Sequence, residues 1–258
     1  MPLNSTQNLY QTGKLSVKQW MYFRISLILA IATFVLAQPS LAYATSATDL
    51  FRAAYENRYT WDKNFPGFSA DVSINHQGIL AQGIVRVSPD LEVEVININS
   101  KYLRELIANQ FRMEIIHRQS LPFAEAHKNA TFQLAKTELS SAATTIVEIG
   151  DEMNSYYQVK DKVITQVNRK FGDIAVTVDT LGITENPEGY LVTHFQTIFR
   201  DANTGEILER EDVRDFHEKI GQYYLLTNRT IRYAEKENPE AKLTPDTSMR
   251  IENIQPLS

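Results

Sequence analysis

Cysteine is missing from the 258-residue chain. Its absence excludes disulfides, thiolate zinc sites, iron–sulfur clusters and thiol nucleophiles, and it excludes a lipid anchor attached to a cysteine. An excess of positive charge is also missing, because 26 Lys and Arg stand against 31 Asp and Glu. Non-specific nucleic-acid binding depends on Lys and Arg contacts to phosphate. We therefore expect no nucleic-acid partner.

Recognisable catalytic motifs are missing as well. The chain contains no Gly-x-Ser-x-Gly nucleophile elbow and no glycine-rich phosphate loop. Its five histidines include no two at the spacing of a metal site. The sequence therefore favours a protein that is not an enzyme and holds no cofactor.

The first 44 residues contain no acidic side chain and have the order of a secretory signal peptide. Lys14, Lys18 and Arg24 precede an apolar run over Ile25–Ala37, and Ala42-Tyr43-Ala44 fits signal peptidase. We predict cleavage between Ala44 and Thr45. The alternative is a retained anchor, although an apolar helix of about 13 residues spans only about 20 Å of a ~30 Å hydrocarbon core.

Cleavage would leave residues 45–258, which are 214 residues with a net charge of about −8. No linker rich in Pro, Gly or Ser divides this segment, so we predict one β-rich domain with a loosely packed tail from about residue 235. The expected location is the periplasm or the thylakoid lumen, where the cleaved protein would be soluble and monomeric.

Two helices and many strands are predicted. Ser46 and Ser100 are suitable N-caps for helices that reach about Tyr59 and about His117. Alternating apolar and polar residues predict strands at Phe68–His76, Ile79–Val87 and Leu91–Val95, followed by a series of further strands from Thr131 to Ile254. Nine or ten strands joined by turns indicate a mainly β (α+β) fold. The expected architecture is a strongly curved antiparallel sheet, or incomplete barrel, with the two helices packed on it.

Two sets of segments resemble two known families. Phe68-Ser69-Ala70-Asp71-Val72 and the following Gln82–Leu91 segment resemble the hairpin of the periplasmic lipoprotein-carrier (outer-membrane lipoprotein-sorting) superfamily. Leu50–Trp61, Phe65–Phe68, Asn168-Arg169 and Gly221–Leu225 resemble an uncharacterised exported family of oxygenic phototrophs. The carrier resemblance implies an incomplete barrel whose hydrophobic concave face is covered by helices. The closer resemblance implies no activity.

The apolar residues of the first strands and of the second helix are the candidate ligand contacts. We expect that they bury an acyl chain or ring on the concave face. They are Val72, Ile74, Val85, Val87, Val93, Val95, Leu103, Ile107 and Phe111.

A weaker candidate for chemistry lies in the strand over residues 209–217. Glu211, Asp215 and His217 share one strand face and could ligate a metal ion, but alternating charges on a solvated strand explain the same pattern. We therefore predict no metal site.

The leading functional interpretation is an exported, non-enzymatic protein that binds a hydrophobic or amphipathic partner. A lipid, a pigment or an acylated protein would fit. Two alternatives remain open: an assembly factor that presents its sheet to a membrane complex without a ligand cavity, and a metal-dependent enzyme that uses the 209–217 strand.

Overall fold

Serine caps begin the two main helices at the predicted positions. The computed structural model describes residues 46–135, 143–235 and 244–257, so the predicted signal peptide and its cleavage site lie outside the described residues. Helix α1 (Ala47–Glu56) begins after Ser46, whose hydroxyl accepts a hydrogen bond from the Asp49 N–H at 3.1 Å. Helix α2 (Lys101–Arg118) begins after Ser100, whose hydroxyl accepts from the Leu103 N–H. These bonds satisfy N–H groups that a helix otherwise leaves unpaired.

A third helix, α3 (Phe123–Ala126), is a single turn that the sequence analysis does not predict. Among the described residues, no helix has both the length and the apolar character needed to cross a membrane.

The described residues also contain twelve strands, two or three more than expected. In chain order they are β1 (Phe68–His76), β2 (Ile79–Val87), β3 (Val93–Ile96), β4 (Thr131–Leu134), β5 (Thr144–Ile149), β6 (Tyr156–Lys160), β7 (Val163–Phe171), β8 (Ile174–Asn186), β9 (Gly189–Asp201), β10 (Ile207–Ile220), β11 (Tyr223–Glu235) and β12 (Thr244–Pro256).

All twelve strands belong to one antiparallel sheet with the order β3-β2-β1-β12-β11-β10-β9-β8-β7-β6-β5-β4. Its edge strands are β3 and β4, which do not pair with each other, so the curved sheet is not closed into a barrel. The predicted fold class is therefore confirmed.

The C-terminal segment differs from the expectation of a loosely packed tail. Strand β12 lies between β1 and β11, near the middle of the order, and it buries Met249, Ile251 and Ile254. Residues 236–243 lie outside the described part of the chain. Pairing of β12 with β1 joins residues about 180 positions apart in the sequence, and local periodicity carries no signal for such a contact.

The helices cover one face of the sheet at two separate places. The α2 cluster is a hydrophobic core in which Leu103, Ile107 and Phe111 of α2 pack on β1, β2 and β12. The α1 cluster is a second core in which Phe51 and Ala54 of α1 pack with residues of α3, β5 and β6. Neither cluster contains a residue of β8, which lies between them in the sheet.

Candidate functional site

The sheet opens where β9 and β10 part. Their pairing runs from Ile207↔Arg200 to Arg214↔His194 and ends there. Beyond that point Leu191 and Val192 pair with β8, whereas Asp215 and the residues after it pair with β11. A cavity of about 310 Å³ lies in this gap and is lined by residues of β8, β9, β10 and β11.

The segment between α1 and β1 lies at one end of the gap. Tyr59 N–H donates to the Tyr190 carbonyl, and Tyr190 N–H donates to the Asn57 carbonyl, both at 2.9 Å. Gly189 is required here, because a Cβ atom at this position would lie 2.5 Å from the Asn57 carbonyl oxygen. On the other side Trp61 Nε1–H donates to the Tyr224 carbonyl at 3.1 Å. This segment therefore links β9 to β11 across the open end.

A buried charge cluster borders the cavity and joins α2 to β10 and β11. It consists of Glu114, Arg118, Asp215, His217 and Arg229. Arg229 donates two hydrogen bonds to Asp215, at 2.7 and 2.6 Å, and a third to Glu114 at 3.2 Å. Glu114 also accepts from Arg118 Nε at 2.8 Å and lies 3.0 Å from His217 Nε2. All five side chains are at most 5% exposed.

The cluster is electrically balanced when His217 is neutral, because its two carboxylates face two guanidinium groups. Burial alone would raise the pKa of Glu114, but Arg118, His217 and Arg229 together hold that pKa well below its usual range. Glu114 is therefore ionised at neutral pH. Glu114 of α2 contacts Arg229 of β11 and His217 of β10, so the cluster links α2 to the sheet.

Three members of the cluster could approach one metal ion. Ligand atoms of Glu114, Asp215 and His217 all lie within 4.8 Å of one another. The structure thus brings Asp215 and His217 together, as their spacing suggests, but the third acid is Glu114 rather than Glu211. Arg118 and Arg229 already bind these carboxylates, so a cation would have to displace buried guanidinium groups. That competition argues against a metal centre.

Glu211 has a different environment on the same strand face. Its neighbours across the sheet are Thr197 and Tyr233. Burial raises the pKa of the Glu211 carboxyl to about 7, and the nearby carboxylate of Glu209 adds to the shift. The Glu211 carboxyl therefore gains or loses its proton near neutral pH.

Glu211→Gln is expected to remove part of the pH dependence of stability. A folded-state pKa of about 7 exceeds the ordinary value of 4.5, so the folded state binds the extra proton between these values. Stability is thus lost as pH rises towards 7, and between pH 5.5 and pH 8.5 this group accounts for a loss of about 2 kcal/mol. Urea unfolding at pH 5.5 and at pH 8.5 measures the free energy of unfolding, which should fall less between these two pH values in Glu211→Gln than in the wild type. The exposed Glu94→Gln serves as control, and equal pH slopes for Glu211→Gln and wild type would contradict the assignment.

Comparison with known proteins gives a family. A model described as a protein of unknown function (DUF3386) matches residues 42–257. The chain belongs to the DUF3386 family. The expectation of an uncharacterised family is therefore confirmed, whereas its distribution among phototrophs stays a prediction. No curated protein matches the DUF3386 chain.

A solved structure of a DUF1329 family protein from Desulfovibrio piger is similar to this DUF3386 chain over 82% of this chain and 93% of that one. The identity is 12% and the TM-score is 0.31. A likeness of this size has no bearing on what the chain binds.

The predicted ligand contacts lie in and around the α2 cluster. Val72, Ile74, Val85, Val87, Leu103, Ile107 and Phe111 are at most 3% exposed, and Val93 and Val95 are partly buried against them. A ligand would reach the buried ones only if α2 moved away from the sheet. Their role as ligand contacts stays a prediction.

Glu114, Arg118 and Arg229 are not among the site residues that the sequence predicts. A signal for two of them was available, since Leu103, Ile107 and Phe111 predict the buried face of α2. Glu114 and Arg118 continue that face at helical spacing. A charged pair four residues apart on an apolar helix face indicates a buried ion pair. Arg229 carries no such signal, because its partners come from other elements.

Proposed function

We propose that this DUF3386 protein is a non-enzymatic binding protein for a hydrophobic or amphipathic ligand. The ligand would lie on the helix-covered face of the sheet, in the part that neither helix cluster covers. We call this part the central trough and define it by Val176, Val178, Phe195 and Phe199. A lipid chain, a pigment ring or the acyl group of a partner protein fits this description.

The register places the trough residues on one face, between the two clusters. Val178 pairs with Val167, which packs against the α1 cluster. Phe195 pairs with Val213, and Asp215, two positions further along β10, binds Arg229 under α2. Alternate residues of a strand share a face. The row between these two points therefore faces the same side as the helices.

Partial exposure of this apolar row is the observation that carries the proposal. All four trough side chains are half-buried, and Phe171 at the end of β7 is 51% exposed. Large contiguous apolar patches left in contact with water mark ligand or protein binding surfaces. Burial of such surface by a ligand contributes about 25 cal/mol per Å².

The trough also carries a polar end. Glu209 pairs with Phe199 and Glu211 with Thr197, so both carboxyl groups lie beside the apolar row. An amphipathic ligand would place its polar part there. The resemblance of Phe68–Leu91 to lipoprotein carriers supports the same class of ligand, and we propose export to the periplasm or thylakoid lumen as its setting.

Phe199→Ala is expected to weaken binding of the neutral hydrophobic dye N-phenyl-1-naphthylamine about tenfold. The phenyl ring supplies roughly 1.5–3 kcal/mol of apolar burial when it is fully covered, and only part of this is lost at a half-buried position. Fluorescence titration of the purified protein measures the dissociation constant.

Phe216→Ala is the matched control, because Phe216 lies on the opposite face of β10 and is 65% exposed. We expect its affinity for the dye to equal that of the wild type. Equal affinities for all three proteins, or no saturable binding, would exclude the trough as a ligand site.

A further inference from the structure

We infer that the gap between β9 and β10 binds a neutral, hydroxyl-rich group about the size of one sugar ring. The cavity of about 310 Å³ is at the small end of the range of ligand pockets. This gap site is distinct from the central trough and does not depend on it.

Open strand edges are the first reason. Within residues 46–135, 143–235 and 244–257 no ladder pairing joins Leu191–Thr193 to Asp215–His217. A strand edge offers N–H donors and C=O acceptors in alternation, and such groups need partners when they are buried. The two facing edges therefore offer both donors and acceptors to an occupant.

The second reason is the imidazole of His217, whose side chain is 2% exposed and which lines the cavity. Nε2 lies 3.0 Å from the Glu114 carboxylate and 3.4 Å from an Arg118 guanidinium nitrogen. In the tautomer that donates Nε2–H to the nearer Glu114, the ring has an acceptor at Nδ1. That buried atom has no hydrogen-bond partner in the described part of the chain. An unsatisfied buried acceptor costs about 1–3 kcal/mol, so a donor from the occupant that reached Nδ1 would stabilise the site.

Charge decides between classes of ligand. The buried carboxylates at the cavity are tightly paired within the protein: Asp215 with Arg229 at 2.6 Å, and Asp212 with His194 at 2.7 Å. Arg214 is 51% exposed and lies 3.8 Å from Asp212, so its contact is loose. An ion that bound at Asp215 or His194 would have to break a tight pair. A neutral ligand would leave them intact, which favours hydroxyl groups over carboxylate, phosphate or ammonium.

The rest of the lining fits such a ligand. Thr184 and Thr193 add side-chain hydroxyls, and Phe216 and Tyr224 add aromatic rings. A hydroxyl group donates one hydrogen bond and accepts others, so it can satisfy strand edges and His217 together. Aromatic rings can cover the apolar C–H face of a sugar ring.

Isothermal titration with glucose, galactose and myo-inositol tests the gap site, with acetate and inorganic phosphate as charged comparisons. The protein is purified from cells that express the full sequence. We expect at least one of the three neutral compounds to bind saturably at millimolar concentration, and neither anion to compete. Absence of neutral binding, or tighter binding of an anion, would overturn the inference.

Two variants locate the binding. His217→Gln keeps an amide near the position of Nε2, where it can still donate to Glu114, but removes the Nδ1 acceptor. Thr193→Val removes a hydroxyl at nearly constant volume. Each should weaken binding of the neutral compound about tenfold, the size of one hydrogen bond, and Thr131→Val on the exposed edge strand β4 should not.

Circular dichroism establishes that each variant is folded. Phe216→Ala, at a 65% exposed position, replaces His217→Gln if the latter unfolds, and it should also weaken binding. The assignment would be overturned if Thr193→Val bound the neutral compound with wild-type affinity and either His217→Gln or Phe216→Ala, each tested as a separate single variant, did so too. Dye binding in the trough should be unchanged by Thr193→Val, so failure of the gap site and failure of the trough are distinguishable.

Discussion

Arg229→Met is expected to destabilise the folded protein by about 3–5 kcal/mol, because it leaves two carboxylates buried without their main partner. Asp215 would lose both of its guanidinium hydrogen bonds, and Glu114 would keep only Arg118 and His217. The Asp215 and Glu114 side chains are 2% and 3% exposed, so water cannot replace the lost contacts. Urea unfolding followed by circular dichroism measures the change.

Arg86→Met is the matched control for Arg229→Met. Arg86 lies on β2 and pairs with Glu94 at 3.6 Å, but both side chains are at least half exposed. An exposed ion pair of this kind contributes about 0–1 kcal/mol. A loss below about 1 kcal/mol in Arg229→Met would show that the buried charge cluster does not hold α2 to the sheet.

Asp215→Asn in the Arg229→Met background gives a second check on the same cluster. Replacing the unpaired Asp215 carboxylate by an amide should recover part of the lost stability, since an unpaired buried carboxylate destabilises the fold more than an amide does. A double-mutant cycle then isolates the coupling of Arg229 to Asp215. Additive effects would mean that the two residues do not interact across β10 and β11.

Local signals account for most of the fold that the sequence predicts. Strands β1 and β2 begin and end at the predicted residues, and Ser46 and Ser100 cap the two main helices. Each of these features depends on residues close together in the chain. Strand β6 was missed because its five residues form a short segment without strong alternation.

Long-range pairing accounts for what the sequence could not predict. Strand β12 docks on β1 through residues at opposite ends of the domain, such as Ile251 and Val72. The sequence also gives no signal for the gap between β9 and β10, because β9 stays paired with β8 and β10 stays paired with β11 beyond the point where they separate. A residue pattern reports which face a side chain takes, and not where two strands separate.

The candidate site shows the same division. Asp215 and His217 lie two residues apart on one strand face, and this spacing predicts that they are close together. In the structure both lie near Glu114. Their partners Arg118 and Arg229 come from a helix and a neighbouring strand. Taken alone, Glu114, Asp215 and His217 resemble the ligand set of a metal site. Together with the two arginines they form an ion cluster whose charges balance.

Phe51→Ala is expected to cost about 3–5 kcal/mol, as for other large-to-small changes of buried aromatic residues. Phe51 is 1% exposed and is the centre of the α1 cluster. Its ring lies 4.2 Å from that of Tyr157, 4.8 Å from that of Phe132 and 6.1 Å from that of Phe123. The cavity left by the variant would therefore loosen α1, α3 and the strands beneath them together.

Hydrogen exchange distinguishes a local effect of Phe51→Ala from a global one. The α1 cluster and the α2 cluster share no residue, so amides of β4, β5 and β6 should lose protection first, whereas those of β1 and β12 should keep theirs under native conditions. Phe216→Ala, at a 65% exposed ring, is the control and should leave both regions unchanged. Equal loss of protection in β1 and β5 would mean that the two clusters unfold as one unit. The central trough would then belong to that single unit and would not be a boundary between two units that unfold separately.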